Sequence, residues 1–108
     1  MSGSSGGSIG GGFAPEPTCE KILIRTQLAS PRAEVIDELS VGDILDVVFT
    51  VPTGPLTAQT YDGDIAGAIL ISDPASLIKC INEGFDFKAK VLAITGGDCQ
   101  VSIYCAGR

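Results

Sequence analysis

Along the chain, apolar and polar residues alternate in short runs broken by Pro, Gly, Asn and Asp. This is the pattern of half-buried strands, with little room for long amphipathic helices. The first run, 20–28, sets Ile22, Ile24 and Leu28 on one face and Lys21, Arg25 and Gln27 on the other. The second, 44–51, carries Leu45, Val47, Phe49 and Val51 inward; Val41-Gly42-Asp43 turns into it and a Pro52-Thr53-Gly54-Pro55 stretch closes it. Strands 56–61 and 64–70 flank Asp62-Gly63, the residues a two-residue type I′ hairpin turn prefers. Pairing outward from that turn gives one face of Leu56, Ala58, Thr60, Ile65, Gly67 and Ile69, and another of Thr57, Gln59, Tyr61, Asp64, Ala66 and Ala68. Gly67 inside a strand predicts a bend or a close backbone neighbour.

The last hairpin, 85–94 with 98–105, poses a register problem. A two-residue Gly96-Gly97 turn would set the inward row Phe85, Phe87, Ala89 and Val91 against the polar Gln100 and Ser102. A three-residue Thr95-Gly96-Gly97 loop, with Gly97 left-handed in a G1 bulge, restores the burial pattern. Val91 then faces Val101, Ala89 faces Ile103 and Phe87 faces Cys105.

Two short helices interrupt the strands. Ser30-Pro31 opens one over 31–39 with Ser as N-cap and Pro at its first position, and Val35, Ile36 and Leu39 form its apolar stripe. Asp73-Pro74 repeats the device for 74–83, which buries Leu77, Ile78 and Ile81 beside Cys80 and ends at Gly84. The order β-α-β-β-β-α-β-β, with hairpins throughout, predicts a mostly β (α+β) fold: a small antiparallel, partly open barrel of five or six strands with two short helices. Residues 1–16, rich in Gly, Ser and Pro, are read as a flexible tail and 17–108 as a single small β-barrel-like domain. Phe13-Ala14-Pro15 within the tail is a short motif able to dock on a partner or on the domain itself.

Composition narrows the chemistry. The 108 residues include no His, which removes Ser-His-Asp and Cys-His hydrolases, imidazole-ligated zinc and His acid–base catalysis. One domain of this size leaves no room for separate cofactor and substrate domains, so the reading is of a protein that is not an enzyme and needs no cofactor. Thirteen acids against seven bases give a net charge of −6, which opposes non-specific phosphate binding and favours solubility. No apolar run reaches the roughly 18 residues of a membrane span, and the N-terminus lacks a basic segment followed by an apolar one. The expected location is cytoplasmic. Cys105-Ala106-Gly107-Arg108 has the frame of a prenylation box but neither its aliphatic residue nor its terminal residue.

The four cysteines, Cys19, Cys80, Cys99 and Cys105, include no pair at knuckle spacing, so no zinc site is predicted. They read as small buried hydrophobes in a reducing cytosol. The alternatives are a Cys19–Cys105 disulfide, joining the outer ends of first and last strands, or a reactive thiol. Neither GxxxxGK[ST] nor GxGxxG opens a helix. Asp62-Gly63-Asp64, with Tyr61, offers a weak hard-cation site, although Asp is also an ordinary hairpin-turn residue. Glu34, Asp37, Glu38, Asp43 and Asp46 form an acidic run suited to a basic protein partner, and Glu34, Asp37, Glu38, Tyr61, Asp62 and Asp64 are the candidate partner surface. The basic counterpart is Lys88 and Lys90, alternating outward on strand five about 6.5–7 Å apart, with Lys79 and Arg25 as candidate neighbours.

The stretch from Leu56 to Tyr104, with "YDGDIAGAIL", "DPASLIKCINEGFDFKAKVLAI" and a last strand, resembles the second half of a HIRAN domain. The resemblance rests on spacing and hydrophobicity over about half the chain. It implies an OB-like barrel that binds single-stranded DNA ends; the residues available for such contact, from the basic pattern read above, are Arg25, Lys79, Lys88 and Lys90. The family's early Arg-rich loop has no counterpart in this chain. Separately, the Gly-rich start with "TQLASP" and "VGDILDVVF" is similar to small bacterial proteins that carry no assigned activity. Two functions are therefore expected: a non-catalytic protein-interaction or accessory module, and alternatively a HIRAN-like or OB-like single-strand binder.

Overall fold

The structure, a computed structural model, describes residues 18–49 and 55–108. Six strands form one antiparallel sheet: β1 (Leu23–Gln27), β2 (Ile44–Val48), β3 (Leu56–Gln59), β4 (Ile65–Ile69), β5 (Asp86–Thr95) and β6 (Asp98–Gly107). Their order in the sheet is β1-β6-β5-β2-β3-β4. Two helices, α1 (Ala33–Ile36) and α2 (Pro74–Asn82), and a 3-10 turn over Cys19–Lys21 complete the fold. The sheet curls until its edges meet: Ala29, just past β1, exchanges both backbone hydrogen bonds with Ala68 of β4, each 2.8 Å. The small, partly open antiparallel barrel expected from the sequence is the architecture found. Expectations for residues 1–16 and 50–54 lie outside the described residues.

The core sits inside the curl. Leu28, Leu45, Leu56, Val91, Val101 and Ile103 line it, and Ile36 of α1 and Leu77 and Cys80 of α2 join them. Among the described residues no polar or charged side chain is buried. Gly67 sits where β4 passes under the end of β1. A Cβ there would lie 3.0 Å from both the Ala29 carbonyl oxygen and Leu28 Cβ, the close backbone neighbour predicted for it.

Helix α2 follows its sequence signals. Asp73 caps it by accepting from the Ser76 N–H at 3.2 Å and from the Ser76 hydroxyl at 2.6 Å, and these bonds hold the Asp73 carboxyl below its usual range. At its other end the Phe85 N–H donates to Cys80 O and the Gly84 N–H to Ile81 O, the two bonds of a Schellman motif. Helix α1 departs from expectation at its start. Ser30 is left-handed (φ 46°) and caps nothing; Arg32 occupies the N-cap without a side-chain bond, and Pro31 precedes the helix. Ala29 must reach Ala68 and the Arg32 N–H must reach Ala66 O at 2.9 Å, so residues 29–32 are committed to β4 and the helix begins later. Its apolar stripe holds: Ile36 is buried, and Val35 and Leu39 pack against the core.

The hairpins pair their core rungs as predicted and differ at their turns. In β5–β6, Val91 faces Val101, Ala89 faces Ile103 and Phe87 faces Cys105. The turn, however, is the two-residue Gly96-Gly97, with Gly96 left-handed in place of Gly97, and the extra residue is Leu92, between the Val91 and Ala93 rungs. In β3–β4, Leu56 faces Ile69 and Ala58 faces Gly67, but the turn is a three-residue loop instead of type I′. The Thr60 N–H donates to Asp64 O at 2.8 Å, the Gly63 N–H donates to Thr60 O at 2.9 Å, and Gly63 has φ 91°. Ala66 is the extra residue that restores phase, and it is buried, not outward.

The cysteine readings are corrected as well. Cys19 is bonded to Cys80, not to Cys105, and the pair is a disulfide where free thiols were expected. The reason is geometric: the first strand begins later than residue 20, and the 3-10 turn carries Cys19 across to α2. Bridging residues 61 apart removes about 4 kcal/mol of unfolded-chain freedom in the loop-entropy treatment. Cys99 and Cys105 are unpaired, and burial pushes the Cys99 thiol up.

Candidate functional site

The end of α1 and the β3–β4 turn meet across a cleft of about 500 Å³. Arg32, Glu34, Val35, Glu38 and Leu39 form one wall, and Thr60, Tyr61, Asp62, Asp64 and Ile65 the other, with Asp43, Ile44 and Leu45 at the base of β2 completing it. Glu34 lies in α1 and Glu38 in the turn just past it, where the Glu38 N–H donates to Val35 O at 3.1 Å. Asp62 and Asp64 flank the left-handed Gly63 at the hairpin tip. The two walls come together because β4 is bonded to the segment leading into α1, through Ala29–Ala68 and the Arg32 N–H to Ala66 O. Five carboxylates thus face one cleft with a single guanidinium, that of Arg32. Asp43 spends one oxygen on the Ser40 N–H at 2.8 Å, which shapes the turn into β2. Tyr61 is 97% exposed on the rim, and Ile44 is exposed at its base.

The sequence-predicted acidic residues divide accordingly. Glu34, Glu38, Asp43, Tyr61, Asp62 and Asp64 come together. Asp37 does not: in the turn that follows α1, Glu38 and Leu39 line the cleft and Asp37 stays outside it. Asp46 is on the outer sheet face, paired with Lys88. Arg32, Ile44 and Thr60 are cleft residues that the sequence did not single out; outward alternation from Leu45 was a signal for Ile44, and nothing local marks Arg32. Among the described residues, no three Cys, Asp or Glu side chains converge as a metal site would need, Asp62 and Asp64 included.

The basic candidates also divide. The register aligns Arg25 of β1, Ser102 of β6, Lys90 of β5 and Ile44 of β2 in one outward row. The next row holds Leu23, Tyr104, Lys88 and Asp46. Arg25 and Lys90 are exposed, while Lys88 donates to the Asp46 carboxylate, which raises the lysine above its ordinary range. Its charge is therefore largely answered within the sheet. Lys79 stands elsewhere, in a cleft of about 370 Å³ between the Cys19 turn and α2, with Ser76, Cys80, Glu83 and Phe85.

No family model matches the chain, and no curated protein or solved structure matches it either. Among the described residues no helix is long and apolar enough to cross a membrane.

Proposed function

We propose that the domain is a non-catalytic protein-interaction module that receives a Lys- and Arg-rich segment of a partner protein in the cleft between α1 and the β3–β4 turn. The supporting observation is the convergence of Glu34, Glu38, Asp43, Asp62 and Asp64, from three separate stretches, beside an exposed aromatic ring. Each exposed carboxylate contributes about 1 kcal/mol to a cation at contact in water, so affinity requires several pairs at once and falls with salt. Tyr61 adds an aromatic face on which a guanidinium or an apolar side chain rests. The absence of His from the whole sequence fits a role in binding.

The test is a titration of the full chain with a labelled Lys/Arg-rich peptide at about 50 mM salt, beside an acidic peptide of equal length. Binding of the basic peptide alone, weakened about tenfold or more in Glu38→Lys/Asp62→Lys, is the expected outcome. Equal binding by the variant overturns the cleft. If a single-stranded oligonucleotide binds instead, and Arg25→Glu/Lys90→Glu abolishes it, the HIRAN-like reading replaces this one.

A further inference from the structure

We propose that Cys19–Cys80 is a redox-operated clasp that holds the Cys19 turn against α2 and is opened by a dithiol attacking at Cys19. Among the described residues the turn is lightly held: Cys19 and the following Ile22 pack part-buried against the core, and no residue of Cys19–Lys21 is fully buried. Its backbone bonds are Lys21 N–H to Thr18 O at 3.0 Å and Ile22 N–H to Cys19 O at 3.3 Å. Its partner is well anchored. Cys80 is 5% exposed, lies within α2, and its carbonyl accepts the Phe85 N–H that terminates the helix. One sulfur therefore belongs to the core and the other to a part-buried turn at its margin, and both cysteines line the cleft of Thr18, Ser76, Lys79 and Glu83. The acidic cleft near α1 shares no residue with this one.

The difference in burial fixes the direction of the chemistry, because the sulfur that is attacked must be reached. A thiolate of the dithiol bonds to Cys19 Sγ, the Sγ–Sγ bond breaks, and Cys80 leaves as a thiolate that takes a proton from water. The second thiolate of the dithiol then bonds to the reductant sulfur in that mixed disulfide. Cys19 is released as a thiolate and protonated, and the reductant leaves as its own disulfide. Two electrons pass to the clasp, and the two protons lost by the dithiol balance the two taken up. Opening frees the Cys19 turn and bares the side of α2 that carries Ser76, Cys80 and Glu83. In a reducing compartment the clasp rests open, and in an oxidising one it rests closed.

The test uses the full chain, oxidised and then treated with dithiothreitol, read by amide hydrogen exchange and by peptide mapping of trapped thiols. Reduction is expected to speed exchange at Lys21 and Ile22 by about tenfold or more while Ala89, Val101 and Ile103 keep their protection. A dithiol protein whose resolving cysteine is replaced should be trapped on Cys19. The Cys19→Ser/Cys80→Ser variant should exchange like the reduced chain; if it fails to fold, reduced wild-type protein still reads the same amides. Four free thiols in the oxidised chain, unchanged exchange at Lys21 and Ile22, equal acceleration across the sheet, or trapping on Cys80 would each overturn the clasp.

Discussion

The β3–β4 and β5–β6 hairpins solve one problem in opposite ways. Each must set inward side chains against inward side chains, because a slip of one residue turns a whole row to solvent. In β5–β6 the turn is the shorter, a two-residue Gly96-Gly97, and Leu92 is inserted on the ascending strand. In β3–β4 the loop has three residues, Tyr61-Asp62-Gly63, and Ala66 is inserted on the descending strand. Both insertions lie beside backbone groups that bond a third segment. Ala66 O accepts from Arg32 at the start of α1, while Val91, next to Leu92, accepts from Gly42 at 2.8 Å and donates to Asp43 O at 2.8 Å. A bulge bends its strand and re-aims its backbone. Here the bulges serve docking between hairpin and neighbour, and the turns adjust to whatever phase remains.

The largest expected effect tests the closure that only β3–β4 makes. Gly67→Val places methyl groups against the Ala29 carbonyl and Leu28, which cannot move without breaking the Ala29–Ala68 bridge. Overpacking of this kind costs about 2–3 kcal/mol, seen as a lower urea midpoint at unchanged slope. A loss below about 1 kcal/mol would mean that the edges of the barrel do not depend on each other.

Deleting Leu92 asks whether the other bulge exists for docking. The Gly96-Gly97 turn and the Val91–Val101 rung can both survive the deletion, since Ala93 then follows Val91 directly in a straight ladder. The bonds of Val91 to Gly42 and Asp43 are what the straightened strand is expected to lose, about 1–2 kcal/mol. Amides of Gly42 and Val91 should exchange faster while Ile103 stays protected; uniform acceleration would assign the bulge to the hairpin itself.

This contrast also explains what was legible in the sequence. Strand faces and core rungs follow from residues such as Val101 and Ile103, whose exposure would be costly in any other register. Bulge positions do not, because Leu92 resembles its neighbours and the groups that bond Val91 lie about fifty residues earlier in the chain. The acidic cleft was half legible. Glu34 with Glu38, and Asp62 with Asp64, are local pairs, but their meeting depends on the β4 contact with residues 29–32. The Cys19–Cys80 bond was hidden for the same reason: it depends on a 3-10 turn in a stretch whose alternation reads as strand.

A smaller effect separates the outer faces of the two hairpins. That of β3–β4 is uncharged at Thr57 and Gln59, which bond to each other at 3.3 Å, whereas β5 carries Lys88 on Asp46. Both partners are substantially exposed, 34% and 44%, so Lys88→Met should cost less than about 1 kcal/mol near neutral pH. Pairing raises the lysine in the folded state, so its contribution is complete below the unfolded lysine value of about 10.4 and is lost as pH climbs through the folded one. The wild-type advantage over Lys88→Met should therefore shrink above that pH. A constant gap from pH 7 to 11 would show that Lys88 acts through packing.

The smallest effect comes from repeating one kind of change at the other hairpin. Gly97 has open space around the position of a Cβ and is not left-handed, whereas Gly67 is pressed between Leu28 and Ala29. Gly97→Ala should therefore change stability by no more than about 0.5 kcal/mol, and the restricted unfolded chain tips the small balance toward a gain. The neighbouring Gly96 sits at φ 61°, so alanine there must accept a left-handed backbone and loses where Gly97→Ala does not. If Gly97→Ala is instead the more damaging of the two, the left-handed residue of the turn is Gly97. The turn would then be the three-residue Thr95-Gly96-Gly97 loop, with the phase correction at the tip and no bulge at Leu92, and the opposition between the two hairpins would disappear.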